Sequence, residues 1–170
     1  MSTGIATIMI DPDSDPAEIA VRYLRYVQTL RTDDDPDTVW APETDPDCRA
    51  YSFVEQKIRH GPAAVAWPLV RAIFAASPDE DLDTQAAGPL EDLVRTRGVE
   101  LASAIEAEAR RDARFRWALG QIRLSEGELP LDVQQRIVEA SGGEIKVFTQ
   151  TELNAHDEPP PTNVADKDRH

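Results

Sequence analysis

The sequence predicts an all-α protein, built as a compact array of about six short helices. Apolar residues recur at helical spacing in successive segments, and prolines, glycines and aspartates separate these segments. No clear internal repeat appears at the periods of helical solenoids, and no convincing strand lies in the core. These observations favour a compact array over a solenoid.

The chain is long enough for one domain, and a second would not fit comfortably in 170 residues with two polar ends. Short apolar runs near the two ends, at 5–10 and 144–148, could pair as a minor two-stranded ribbon on the helical body. The predicted organisation is a weakly ordered segment or short strand at 1–14, a single helical domain at 15–141, a short strand at 142–150 and a disordered acidic, proline-rich tail at 151–170.

The first helix is predicted to begin at Asp15–Pro16, because aspartate caps a helix and proline suits its first position. A second helix is expected over residues 50–58. The connector between them, 32–46, is rich in proline and aspartate. Its only large apolar residues, Val39 and Trp40, are expected to hold it against the body.

Residues 63–76 are apolar around almost the whole helical circumference, which is typical of a buried helix. Pro68 lies inside this run and removes one backbone donor. The helix therefore either kinks at Pro68 or begins there, and the sequence leaves both open.

The run from Gly88 to Gly98 predicts a helix with a marked start and stop. Pro89 suits the first helical position, and Glu91 and Asp92 suit the positive end of the helix dipole. Gly98 is expected to take the left-handed conformation that ends a helix, with Val99 packed back on the last turn.

Three further helices follow. Residues 100–111 form one, with Glu106 and Arg110 as a surface ion pair. Asp112 is expected to cap a helix over 113–123, whose apolar residues occupy two opposite faces, so that this helix is sandwiched or half exposed. The last helix is predicted over 130–140.

Three motifs carry a family resemblance: Gly88–Leu93 (GPLEDL), the segment Ile105–Ala109 (IEAEA) and the segment from Phe115 to Ile122. Over 67–122 the chain resembles a family of small uncharacterised bacterial helical proteins that share a GPLEDLL helix, an IE..A helix and an F..AL segment. Val94 replaces a second leucine, and Gln121-Ile122 stand where an aromatic residue is common. The resemblance implies a helical fold and no activity.

Composition and charge exclude several function classes. The net charge of −14 disfavours binding to phosphate backbones or anionic lipid and favours a basic protein partner. No stretch is long and apolar enough for a membrane span, and residues 1–10 lack signal-peptide features, so a cytoplasmic protein is expected. The single cysteine, Cys48, excludes an internal disulfide. No motif indicates a metal or another cofactor.

Enzymatic chemistry has few candidates in this sequence. If the chain is an enzyme, Glu91, Asp92 and His60 are the first catalytic candidates, in a carboxylate site between helices. However, adjacent helical residues point about 100° apart, so Glu91 and Asp92 would not face each other as a working pair. Helix capping explains them better.

The strongest binding candidate is Trp117, which lies among Arg110, Arg114 and Arg116. The alternative is an arginine face neutralised by neighbouring acidic residues. The leading functional hypothesis is a non-enzymatic protein-binding module, immunity-like or regulatory, with a basic protein as its partner. A small enzyme is the alternative, and a nucleic-acid-associated protein ranks third.

Overall fold

A computed structural model of the protein describes residues 15–32, 45–149 and 152, and it confirms the predicted all-α class. The described part contains six helices of nine or more residues. In chain order the elements are α1 (Pro16–Thr32), α2 (Pro46–His60), α3 (Ala63–Ala76), a 3₁₀ turn (Asp79–Asp81), a short α4 (Leu82–Gln85), a π turn (Ala86–Leu90), α5 (Glu91–Arg111), α6 (Ala113–Gln121), β1 (Arg123–Ser125), α7 (Leu131–Ala140) and β2 (Lys146–Phe148).

Helices α1, α2 and α3 pack against one another at the amino-terminal end of the described fold. Asp15 caps α1 as predicted, because its carboxylate accepts a hydrogen bond of 3.0 Å from the Ala17 amide. Asp45 caps α2 in the same way and accepts from the Asp47 amide at 2.7 Å. This cap lengthens α2 beyond the predicted 50–58 range.

Helix α3 begins at Ala63, directly after Pro62, so Pro68 lies inside the helix rather than at its start. Its inward residues are buried, but Ala64, Pro68, Arg71, Ala75 and Ala76 are exposed, so α3 is buried on one side rather than around its whole circumference. Trp67 and Phe74 both place their rings edge-on to Phe115 of α6, with centroids 5.7 and 5.8 Å apart. This aromatic group joins α3 to the second half of the fold.

The predicted helix stop at Gly98 is wrong, because α5 continues without a break to Arg111. Gly98 does not take a positive φ, and a Cβ there would lie 3.2 Å from Leu129 Cδ2 and 3.4 Å from Ile137 Cδ1. The lack of a side chain at Gly98 therefore allows Leu129 and Ile137 to pack closely against α5. Val99 is 60% exposed and does not pack back on the helix.

The predicted start at Pro89 is also wrong, since α4 and the π turn place the chain in a helical path before this residue. Pro89 lies inside the π turn and is buried. The short helical segments from Asp79 to Leu90 therefore run directly into α5.

A minor two-stranded ribbon is present, as predicted, and its strands β1 and β2 are parallel. Leu124 is in register with Val147, and α7 connects the two strands along the chain. The partner of the predicted carboxyl-terminal strand is thus β1, which the sequence had placed partly in the preceding helix. The run at 5–10, the connector residues Val39 and Trp40, and the tail beyond Glu152 lie outside the described residues.

Helix α5 passes through the centre of the core and contacts α2, α3, α6, α7 and β1. Its buried residues include Leu93, Leu101 and Ile105. Within the described part of the chain, no helix is long and apolar enough to span a bilayer.

Candidate functional site

Glu91, the first candidate carboxylate, is buried and holds α5 to the ribbon. Its Oε1 lies 2.9 Å from Arg95 Nη1, and its Oε2 accepts a hydrogen bond of 2.8 Å from the Arg123 amide. Arg95 also lies 3.3 Å from Glu128 Oε1. These bonds satisfy the Glu91 carboxylate and fix the first residue of β1. Glu91 therefore links α5 to β1 instead of capping the helix as predicted.

Asp92 faces α2 instead. It accepts hydrogen bonds from Arg59 at 3.0 and 3.3 Å, and Arg59 also pairs with Glu55 at 3.1 Å. Burial raises the pKa of Glu55, Arg59 lowers it, and Asp92 raises it again. His60, at the end of α2, is exposed. Glu91 and Asp92 therefore serve different elements, as their helical spacing predicts.

Trp117 lies on α6 with 50% of its surface exposed. It forms one side of a shallow hollow of about 350 Å³, which we call the Trp117 hollow. The other lining residues are Asp79, Leu82, Ala113 and Arg114. The hollow thus combines an aromatic ring and a buried leucine with one charged residue of each sign.

Arg114 holds the wall of this hollow in place. Its guanidinium donates to Asp79 Oδ1 at 2.8 Å, to the Ser77 carbonyl at 2.8 Å and to the Phe74 carbonyl at 3.5 Å. These contacts join α6 to the end of α3 and to the 3₁₀ turn. The Arg114 guanidinium therefore already has hydrogen-bond partners within the chain. Its main effect on the hollow is to fix the position of the residues that line it.

A ridge of four acidic residues lies on the segment that contributes Asp79 and Leu82 to the Trp117 hollow: Asp79, Glu80, Asp81 and Asp83. Asp79 pairs with Arg114, and Asp81 pairs with Arg31 of α1. Glu80 and Asp83 are exposed, and neither forms an ion pair with any described residue. The sequence alone predicts no functional site in this segment. The missed signal was the density of acids beside an exposed tryptophan, which only the fold brings together.

Arg110 and Arg116 lie in a different groove, of about 300 Å³, between α5, α6 and α7. Its other charged residues are Glu106, Arg136 and Glu139. Arg136 donates to Glu106 at 2.7 Å, so the predicted Glu106–Arg110 pair is replaced by a tertiary one. Arg110 and Arg116 form no ion pair with the described residues. The structure therefore divides the predicted cluster: Arg114 accompanies Trp117, whereas Arg110 and Arg116 accompany Arg136.

Comparison with protein families adds one finding. The family of unknown function DUF6869 matches residues 42–145, more than half of the chain. The chain belongs to this family. The DUF6869 region contains both the Trp117 hollow with its acidic ridge and the groove of Arg110 and Arg116. Helix α1 lies before it. No curated protein and no solved structure matches the chain.

Proposed function

We propose that this chain is a protein-binding module that receives a basic segment of a partner protein at the Trp117 hollow. The observation that carries this proposal is the half-exposed Trp117 ring beside a wall that Arg114 holds in place. A fixed hollow needs little ordering when a partner binds, so less binding energy is lost.

Tryptophan is the residue type that most often dominates an interface. Its ring buries a large apolar area, and hot spots are enriched in it. Trp67 illustrates the structural alternative, because it is partly buried and packs on Phe115. Trp117 lacks such a ring neighbour among the described residues. A partner side chain would supply the missing contact.

The acidic ridge indicates the charge of the partner. Glu80 and Asp83 are exposed carboxylates without ion pairs in the described structure, and they lie on the segment whose Asp79 lines the hollow. The chain as a whole has a net charge of −14. Both the local and the overall field attract a basic segment and accelerate its encounter. Such a module acts by covering a basic surface, which suits an immunity or regulatory protein.

The cysteine content of the chain fits the cytoplasm as its location, because its one thiol, Cys48, is free.

The alternatives receive less support. An enzyme site at Glu91, Asp92 and His60 would need these groups to converge. Glu91 bonds to the Arg123 amide of β1, whereas Asp92 bonds to Arg59 of α2, the helix that ends at His60. A nucleic-acid surface would rest on Arg110 and Arg116, whose groove also contains Glu106 and Glu139. The net negative charge opposes that role further.

Selection from a random peptide library on the full chain tests the proposal. We expect enriched peptides to carry a bulky apolar residue near lysine or arginine, and to bind more weakly as salt rises. Trp117→Ala should weaken the selected peptides about 30-fold, equivalent to the about 2 kcal/mol of a hot spot. Val99→Ala is the matched control, because Val99 is an exposed apolar residue outside the hollow. Enrichment of acidic peptides, or equal binding to Trp117→Ala, would overturn the proposal.

A further inference from the structure

The acidic ridge separates the Trp117 hollow from a second groove. In a 3₁₀ turn, with roughly three residues per turn, side chains three positions apart lie on the same side. Asp79 and Leu82 therefore line the Trp117 hollow together. Pro78 and Asp81 form the neighbouring row, and together with Glu80 they line the other groove. The ridge is thus the shared wall of two concave surfaces.

The second groove, which we call the α1 groove, has a volume of about 330 Å³. Its far wall is α1, where Val21 is 49% exposed. This helix contributes three apolar and three polar residues to the groove: Val21, Leu24, Val27, Arg25, Gln28 and Arg31. Ala76 and Pro78 close it from the end of α3. A large apolar residue on a partner would find aliphatic contacts here similar to those of the hollow across the ridge.

Gln85 is an unusual member of the wall of the α1 groove. Its residue surface is only 2% exposed, and its Oε1 is buried with no hydrogen-bond partner in the described structure. A buried acceptor without a partner destabilises the folded state. A donor placed in the groove could offset this cost after rotation of the amide. This observation points to a ligand independently of the ridge.

We infer that the Trp117 hollow and the α1 groove are two halves of one recognition surface. The occupant is a partner segment with a bulky apolar residue on each side of a lysine or arginine. One apolar residue enters each groove, and the basic side chain lies over the unpaired carboxylates of Glu80 and Asp83. This inference rests on the proposed function and adds the sequence pattern of the partner.

Blocking the α1 groove tests the inference with synthetic versions of the selected peptides. Ala76→Gln places a larger side chain at an exposed position in the groove wall. Ala64→Gln makes the same change at an exposed position of the same helix outside the groove. We expect Ala76→Gln to weaken binding at least about tenfold and Ala64→Gln to leave it unchanged. Val21→Gln provides a second block should Ala76→Gln alter the circular-dichroism melt.

The peptides provide the other half of the test. Replacing the apolar residue that enters the α1 groove should weaken binding to the wild-type chain but cause no further loss in Ala76→Gln. Glu80→Lys should also weaken binding, whereas the control Glu100→Lys, an equal charge change on exposed α5 surface, should have a smaller effect.

Two failures are distinguishable. If Trp117→Ala weakens binding while the groove-blocking variants do not, the two-groove inference is overturned and the proposed function stands. If Trp117→Ala has no effect, both are overturned.

Discussion

Two short acidic segments of this chain have similar sequences and different surroundings. Residues 78–81 read PDED and residues 89–92 read PLED. In the second, Leu90 is fully buried and Glu91 bonds to Arg95 and to the Arg123 amide. In the first, Glu80 is exposed without an ion pair in the described structure. The comparison shows that an acidic residue stabilises the fold or remains available for binding according to its tertiary neighbours.

Among the variants that test this comparison, Glu91→Ala is expected to cause the largest loss of stability. The substitution removes two charge-assisted hydrogen bonds and leaves the Arg123 amide without its acceptor, so unfolding free energy should fall by about 2–3 kcal/mol. Urea unfolding measures the loss. The matched change in the other segment, Glu80→Ala, should alter stability by less than about 0.5 kcal/mol. Equal losses in the two variants would remove the distinction between the segments.

A smaller effect is expected at Gly98, where the second acidic segment continues into the packed centre of α5. Gly98→Leu would force Leu129 and Ile137 to move, at a cost of about 2 kcal/mol. Gly88→Ala is the control, because a Cβ there meets nothing within 4 Å and should stabilise the chain by about 0.5 kcal/mol. Thermal unfolding compares the two variants. A neutral Gly98→Leu would contradict the close packing.

The smallest change in stability is expected from Arg136→Gln, which breaks an ion pair outside both segments. The hydrogen bond from Arg136 lowers the pKa of Glu106, and burial opposes this shift. A lowered pKa in the folded state stabilises the protein above the ordinary glutamate pKa, and this contribution is lost as pH falls through the lowered value. Arg136→Gln should raise the Glu106 pKa, as followed by NMR titration. Its stability deficit should shrink at acid pH. An unchanged pKa would contradict the assigned cause.

Sequence patterns were most accurate where the determinants are local. Asp15 and Asp112 cap their helices as predicted, and the Asp112 carboxylate accepts from the Arg114 amide at 2.8 Å. Leu101 and Ile105 are buried at helical spacing within the helix predicted over 100–111. The two-faced pattern of α6 left open whether this helix is sandwiched or half exposed, and the structure shows Trp117 half exposed. Its proposed binding role stays a prediction.

The errors have a common cause. Gly98 carries a typical helix-stop signal, yet Leu129 and Ile137 approach it from 31 and 39 positions later in the chain. Glu106 has Arg110 at a suitable helical spacing, yet Arg136 of α7 donates to it. Residues distant in the chain supplied the contact in both cases, and no local pattern contains that information.

The sequence by itself determined the helical class, several helix caps, the apolar faces and the negative charge. These properties depend on backbone geometry and on residues within about one helical turn of each other. Only the tertiary structure decided that Glu91 is bonded to the ribbon and that Arg114 separates from Arg110 and Arg116. It also placed the acidic ridge beside Trp117. Packing brings together residues from different elements, and their partners depend on positions in space that helical periodicity does not specify.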